Sequence, residues 1–141
     1  MEKFLIDANI ILGFLNKKDP HHQKCLKFFQ EINAKYKKGE KIQGVIPMHL
    51  MIEVNINIRR KKRNKDWNGI SSLDMIGPVF YSIDQAFLQR VQQKGLYDKF
   101  SILKSADAIY AMISFLENIP LVTLDKKDFK KVKSIIDIIF I

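Results

Sequence analysis

The amino-acid sequence predicts an α/β fold: three layers, with a central parallel sheet of about five strands and helices on both faces. Short apolar runs alternate along the chain with longer amphipathic segments. The inner runs are unbroken by polar residues, which is how strands covered on both faces read. The length, 141 residues, suits one domain. Residues 1–141 are therefore read as a single domain, without repeat, low-complexity tract or linker.

The elements follow in order. Phe4-Leu5-Ile6 is a buried strand ending at Asp7. Asn9–Leu15 is a short helix capped by Asp7 or Asn9. Asp19-Pro20 opens a second helix, since proline suits a first turn. Cys25, Leu26, Phe28, Phe29 and Ile32 give it an apolar face as far as Tyr36, and Gly39 stops it. Ile42–Ile46 is the second strand. Pro47 opens a helix from Met48 to about Arg60, apolar almost all round. A basic and polar stretch over 59–72, with Trp67, Asn68 and Gly69, reads as a flexible insert. After Gly77-Pro78, Val79–Ile83 is the third strand, and Asp84 caps a helix from Gln85 to Lys94. Ser105 caps another from Ala106 to Asn118. Leu121–Leu124 is the fourth strand and ends at Asp125. Asp128–Lys133 is a short basic turn, and Ile135–Ile141 is the last strand.

Composition narrows the classes. Lys and Arg number 24 against 15 Asp and Glu, for a net charge of +9 and a pI near 9.6. A basic balance of this size points to a polyanionic partner. The single cysteine, Cys25, excludes an internal disulfide and suits a reducing cytoplasm. The longest stretch free of Asp, Glu, Lys and Arg is Ile42–Ile52, far short of the about 20 apolar residues of a membrane span. Asp7 and Asn9 interrupt the opening apolar run, which is unlike a secretory signal. No membrane partner is expected.

Four acids fall where a parallel sheet binds ligands, beyond the carboxyl ends of its strands. Asp7 and Asp125 directly follow strands one and four, Asp107 lies in the first turn of a helix, and Glu53 lies within one. Singly, Asp7 also reads as a helix cap, Asp107 as a complement to the helix dipole and Asp125 as a turn residue. Glu53 sits on so apolar a helix that it needs a partner, either a cation or a lysine. Together the four suit Mg²⁺, which prefers carboxylate and water oxygens. Such ions assist attack of water on a phosphodiester. His49, one turn before Glu53, reads as a structural histidine or as an orienting partner of that acid. Cys25 reads as core.

Phe4–Leu12 (FLIDANIIL), Lys104–Met112 (KSADAIYAM) and Leu121–Phe129 (LVTLDKKDF), with Glu53 between the first two, resemble the motifs of PIN-domain nucleases, especially the VapC-type toxins of toxin–antitoxin modules. The resemblance spans about residues 2–140. It implies a PIN-like sheet of five parallel strands and an endoribonuclease dependent on Mg²⁺ or Mn²⁺. By motif it assigns Asp7, Glu53, Asp107 and Asp125 as catalytic metal-binding acids, with Asn9 and Thr123 in support. Asp128 reads as a surface acid, with longer-range support of the site as the other reading. The resemblance also implies an RNA substrate, a small antitoxin partner and a homodimer.

Two basic runs are candidates for the RNA backbone: Arg59, Arg60, Lys61, Lys62 and Arg63 with Lys65, and Lys126, Lys127, Lys130 and Lys131 with Lys133. Each also reads as a solvated surface. Trp67 is placed to stack on a base or to dock a partner. Two other classes stay open. A PIN-like domain that binds RNA or protein without cleaving would keep the fold. A phosphoacceptor domain would need an acid pair after the first strand, where this chain has Asp7-Ala8.

Overall fold

The computed structural model describes residues 2–60 and 71–141. Strands β1 (Glu2–Ile6) and β2 (Ile42–Pro47) are joined by helices α1 (Ala8–Leu15) and α2 (His22–Lys37). Helix α3 (Met48–Arg60) follows, and a 3-10 turn at Ser71–Ile76 leads into β3 (Val79–Tyr81). Helices α4 (Gln85–Gln93), α5 (Leu96–Lys99) and α6 (Ser105–Glu117) precede β4 (Leu121–Thr123). Helix α7 (Lys126–Phe129), a second 3-10 turn at Lys130–Val132 and β5 (Ile138–Phe140) follow. The five strands form one sheet in the order β3-β2-β1-β4-β5, and every neighbouring pair is parallel. The predicted α/β class is what the chain adopts.

The strand order positions the site. From β1 the chain steps outward through β2 to β3, then returns past β1 to β4 and β5. Right-handed crossovers place the helices of these two halves on opposite faces. The reversal lies between β1 and β4, and it is outside the carboxyl ends at such a reversal that parallel sheets form their ligand crevice. Ile6 pairs with Val122, so the next residues, Asp7 and Thr123, leave the two strands side by side. Leu5, Ile6, Ile46 and Leu121 are wholly buried beneath them, because central strands present both faces to helices.

Several boundaries differ from those predicted. β1 begins at Glu2, since Glu2 and Lys3 pair with Ile42 and Gln43 although both are exposed. α2 begins at His22. Asp19 instead closes a turn, its carboxylate accepting from the His21 N–H at 2.8 Å. Pro47 ends β2 rather than opening α3, paired with Tyr81 across a sheet edge. β3 stops at Tyr81, because it is an edge strand held only by β2. Lys104, not Ser105, is the residue preceding α6, and it makes no side-chain cap.

Of the predicted insert, Arg59 and Arg60 end α3. Lys61, Lys62, Arg63, Lys65 and Trp67 lie outside the described residues. The 3-10 turn that follows carries Leu73 and Ile76 into the core. The apolar helix around Glu53 is not buried on every side: Met48, Ile52 and Ile56 are exposed on one stripe, spaced by one turn each. Among the described residues no helix is long and apolar enough to cross a membrane.

Candidate active site

Asp7 is buried at the head of the crevice and caps α1, accepting from the Asn9 N–H at 3.4 Å. Thr123 beside it is wholly buried. Its hydroxyl donates to Asp7 Oδ2 at 2.6 Å. Thr123 Oγ1 in turn accepts from Asn9 Nδ2 at 3.2 Å and from the Asp125 N–H at 3.0 Å. One donor and two acceptor sites complete what a hydroxyl offers. Asn9 closes the ring, its Oδ1 accepting from the Leu124 N–H at 3.2 Å. The two strand ends are thus tied through Asp7, Asn9 and Thr123.

Burial pushes the Asp7 carboxyl up to about 7. The Thr123 and Asn9 hydrogen bonds oppose that rise, while Glu53 and Asp107 add to it. Glu53, on α3, is also held above the usual carboxylate range by burial and by Asp107. The partner of Glu53 is the Tyr110 hydroxyl, which donates to Oε2 at 3.2 Å. Among the described residues no lysine or arginine pairs with it.

Asp107, Asp125 and Asp128 each bring one carboxylate oxygen within 4.8 Å of the others. Asp107 stands in the first turn of α6. Asp125 caps α7, accepting from the Asp128 N–H at 2.9 Å, which turns Asp128 into the group. Of the two readings of Asp128, its place in the cluster favours support of the site over a surface acid standing apart. Its side chain is 16% exposed and pairs with Lys131 at 2.9 Å, which holds its carboxyl below the usual range. Burial, Asp125 and Asp128 raise the Asp107 carboxyl, opposed by Lys104 and Lys131.

The four predicted acids thus share one end of the sheet with Asp128. Asp107, Asp125 and Asp128 form the tight cluster, and Asp7 and Glu53 stand on its β1–α3 side, coupled electrostatically to Asp107. An all-carboxylate donor set, in which the Asp7, Glu53 and Asp107 carboxyls are raised, is what a hard divalent cation neutralises. The residues therefore fit Mg²⁺ or Mn²⁺.

Other predicted residues separate from the centre. Lys126, Lys127 and Lys130 are exposed on the α7 segment, and Lys131 is engaged by Asp128. Arg59 bonds back to Asn55 within its own helix, through Nη1 to the carbonyl at 3.2 Å and to Oδ1 at 3.0 Å. His49 does not orient Glu53 directly. Its ring lies 4.6 Å from that of Tyr110, and neither of its buried ring nitrogens has a partner among the described residues. Two residues near the acids were not singled out from sequence: Lys104 beside Asp107, and Tyr110. Only Tyr110 left a signal, since it lies one turn beyond Asp107 on an otherwise apolar helix.

A family model described as the PIN domain matches residues 4–135. No curated protein sequence matches the chain. Among solved structures, "Toxin-antitoxin complex from Klebsiella pneumoniae" is similar at 17% identity and TM-score 0.58, over 96% of this chain and 95% of that one. VapBC2 from Rickettsia felis bound to a DNA fragment from its promoter is similar at 19% identity and TM-score 0.60, over 99% and 98%. FitAB bound to the IR36 DNA fragment is similar at 12% identity and TM-score 0.67, over 97% and 94%. At these identities the structural likeness is one of fold.

Proposed function

The chain belongs to the PIN-domain family, and from that premise we propose that it is a metal-dependent endoribonuclease, the toxin of a VapBC-type toxin–antitoxin pair. The observation that carries the reading is the acidic end of the sheet: five carboxylates, three with oxygens within 4.8 Å of one another, in a chain of net charge +9. Asp7, Glu53, Asp107 and Asp125 are the proposed metal-binding catalytic acids, with Asn9 and Thr123 supporting Asp7. A bound Mg²⁺ or Mn²⁺ would supply charge neutralisation at the scissile phosphate and acidify water. Thr123 and Asn9 hold the Asp7 carboxylate in place. Lys104, Lys126, Lys127 and Lys130 supply positive charge at the rim, where a phosphate backbone would lie.

The similar structures are toxin–antitoxin assemblies by their printed descriptions, which supports a small antitoxin as partner. The exposed Met48, Ile52 and Ile56 stripe is consistent with contact to another chain, either the antitoxin or a second copy in a homodimer. Light scattering tests the homodimer directly. The site of action is proposed to be the cytoplasm.

Incubating the purified chain with labelled single-stranded RNA in Mg²⁺, Mn²⁺ or EDTA tests the activity. Cleavage is expected with either metal, none in EDTA, and a loss of at least about 100-fold in Asp107→Asn. Equal cleavage by the wild type and Asp107→Asn would overturn the site. Retention of RNA without cleavage in any metal would identify a binding domain instead.

A further inference from the structure

Tyr110 is the largest wholly buried side chain of the molecule's described part, and its hydroxyl reaches two elements at once. It accepts from the Ala8 N–H, the amide following Asp7, at 3.3 Å. It donates to Glu53 Oε2 at 3.2 Å. Tyr110 lies three residues beyond Asp107 on α6, so one helical face presents both groups to the crevice. On its other side the ring packs against His49 at a centroid distance of 4.6 Å, and His49 stands one turn before Glu53 on α3. The contact therefore ties the start of α1, the acid-bearing turn of α3 and the acid-bearing turn of α6 to one oxygen atom.

Phenylalanine would fill the same core space but leave the Ala8 N–H without this acceptor. The hydroxyl adds a single proton, and that proton points to a carboxylate. A phenol keeps its proton at neutral pH, so the hydroxyl is a donor there. Glu53 receives no other hydrogen bond among the described residues. Its one-turn neighbours on α3, His49 and Asn57, make no hydrogen bond to it among the described residues. A flexible glutamate with one fixed contact owes its direction to that contact.

We propose that Tyr110 is a positioning residue that aims the Glu53 carboxylate at the acidic cluster through its hydroxyl. This rests on the metal-dependent reading above, and it concerns a residue that the motif comparison does not assign. Tyr110 touches neither substrate nor metal in this role and acts only through Glu53.

The test is a calorimetric titration with Mn²⁺, in four proteins: wild type, Tyr110→Phe, Glu53→Gln and the double variant. Melting curves in EDTA check that each is folded. Tyr110→Phe is expected to weaken Mn²⁺ binding by about 10- to 100-fold, the range found when a ligand loses its outer hydrogen bond. In the Glu53→Gln background the same change is expected to have no further effect, because the carboxylate it aims is gone. Unchanged affinity in Tyr110→Phe overturns the proposal, and so does an equal loss in both backgrounds, which would make Tyr110 a packing residue. If Tyr110→Phe does not fold, 4-fluorophenylalanine at position 110 fills the hydroxyl's place without donating, and the same weakening is expected. A wild type that takes up no Mn²⁺ removes the metal-dependent reading and this inference together. A wild type that binds while Tyr110→Phe binds equally well removes this inference alone.

Discussion

Asp7 shows how one residue serves two demands. It is a helix cap and a strand-end acid, and only its burial separates the second role from the first. Its carboxyl is raised from 3.8 to about 7. A raised carboxyl favours the protonated folded state, so its contribution is fully present below pH 3.8 and is lost as pH climbs through about 7. The metal-free protein should therefore lose on the order of 4 kcal/mol between these limits, at about 1.4 kcal/mol per unit. Asp7→Asn should flatten that slope and match or exceed the wild type in EDTA at pH 8, as thermal melts across pH would show. A large loss of stability in Asp7→Asn would instead mark a structural role. With metal the order reverses, because the cation needs the ionised carboxylate. Mn²⁺ uptake by the wild type below pH 7 should accordingly release protons.

Thr123 completes the residue-scale account. Its hydroxyl makes three hydrogen bonds in a wholly buried setting. Thr123→Val keeps the shape and leaves the Asn9 amide and the Asp125 N–H short of an acceptor. A stability cost of about 1–3 kcal/mol is expected from those orphaned donors. Thr123→Ser should restore most of it, and denaturant titration of the two variants checks the pair.

At the scale of elements, the turns decide which acids meet. The β1–α1 and β4–α7 junctions carry Asp7 and Asp125 on neighbouring parallel strands. α7 begins straight after Asp125, two residues earlier than the sequence suggested, and that early turn swings Asp128 into the cluster. β3 depends on a different turn. Gly77 has φ +55, and a Cβ there would lie 2.6 Å from the Ile42 carbonyl oxygen, a backbone atom with no room to yield. Gly77→Ala should cost about 1–3 kcal/mol and lower the melting temperature by several degrees, while leaving metal affinity unchanged, since the turn is remote from the acids. A loss of Mn²⁺ binding equal to that of Asp107→Asn would show that β3 and the site are coupled.

The whole molecule joins a basic exterior to an acidic centre. Net charge of +9 draws a polyanion, while the carboxylates at the sheet end repel it until they are neutralised. Affinity for single-stranded RNA should fall with salt by about 0.7 log unit per log unit for each phosphate contacted. Replacing Lys126, Lys127 and Lys130 by alanine should flatten the slope by up to about 2. Binding that is flat between low and moderate salt would contradict the electrostatic account. Filter binding across a salt series, in EDTA to prevent cleavage, reads it.

The sequence by itself determined the α/β class, the parallel sheet and three strand-end or helix-start acids, Asp7, Asp107 and Asp125. Apolar runs and their breaks are local features, and each of these acids sits at such a break. Glu53 was readable only as a charge in an apolar helix that needed a partner. Tertiary structure decided what that partner is, because Tyr110 is 57 residues away and no spacing rule connects them. It likewise decided that Asp128 turns inward, that the Met48–Ile52–Ile56 stripe faces out and that His49 meets an aromatic ring rather than an acid. Those facts depend on which helix faces which, and that is set by strand order and crossover hand rather than by the neighbours of any residue in the chain.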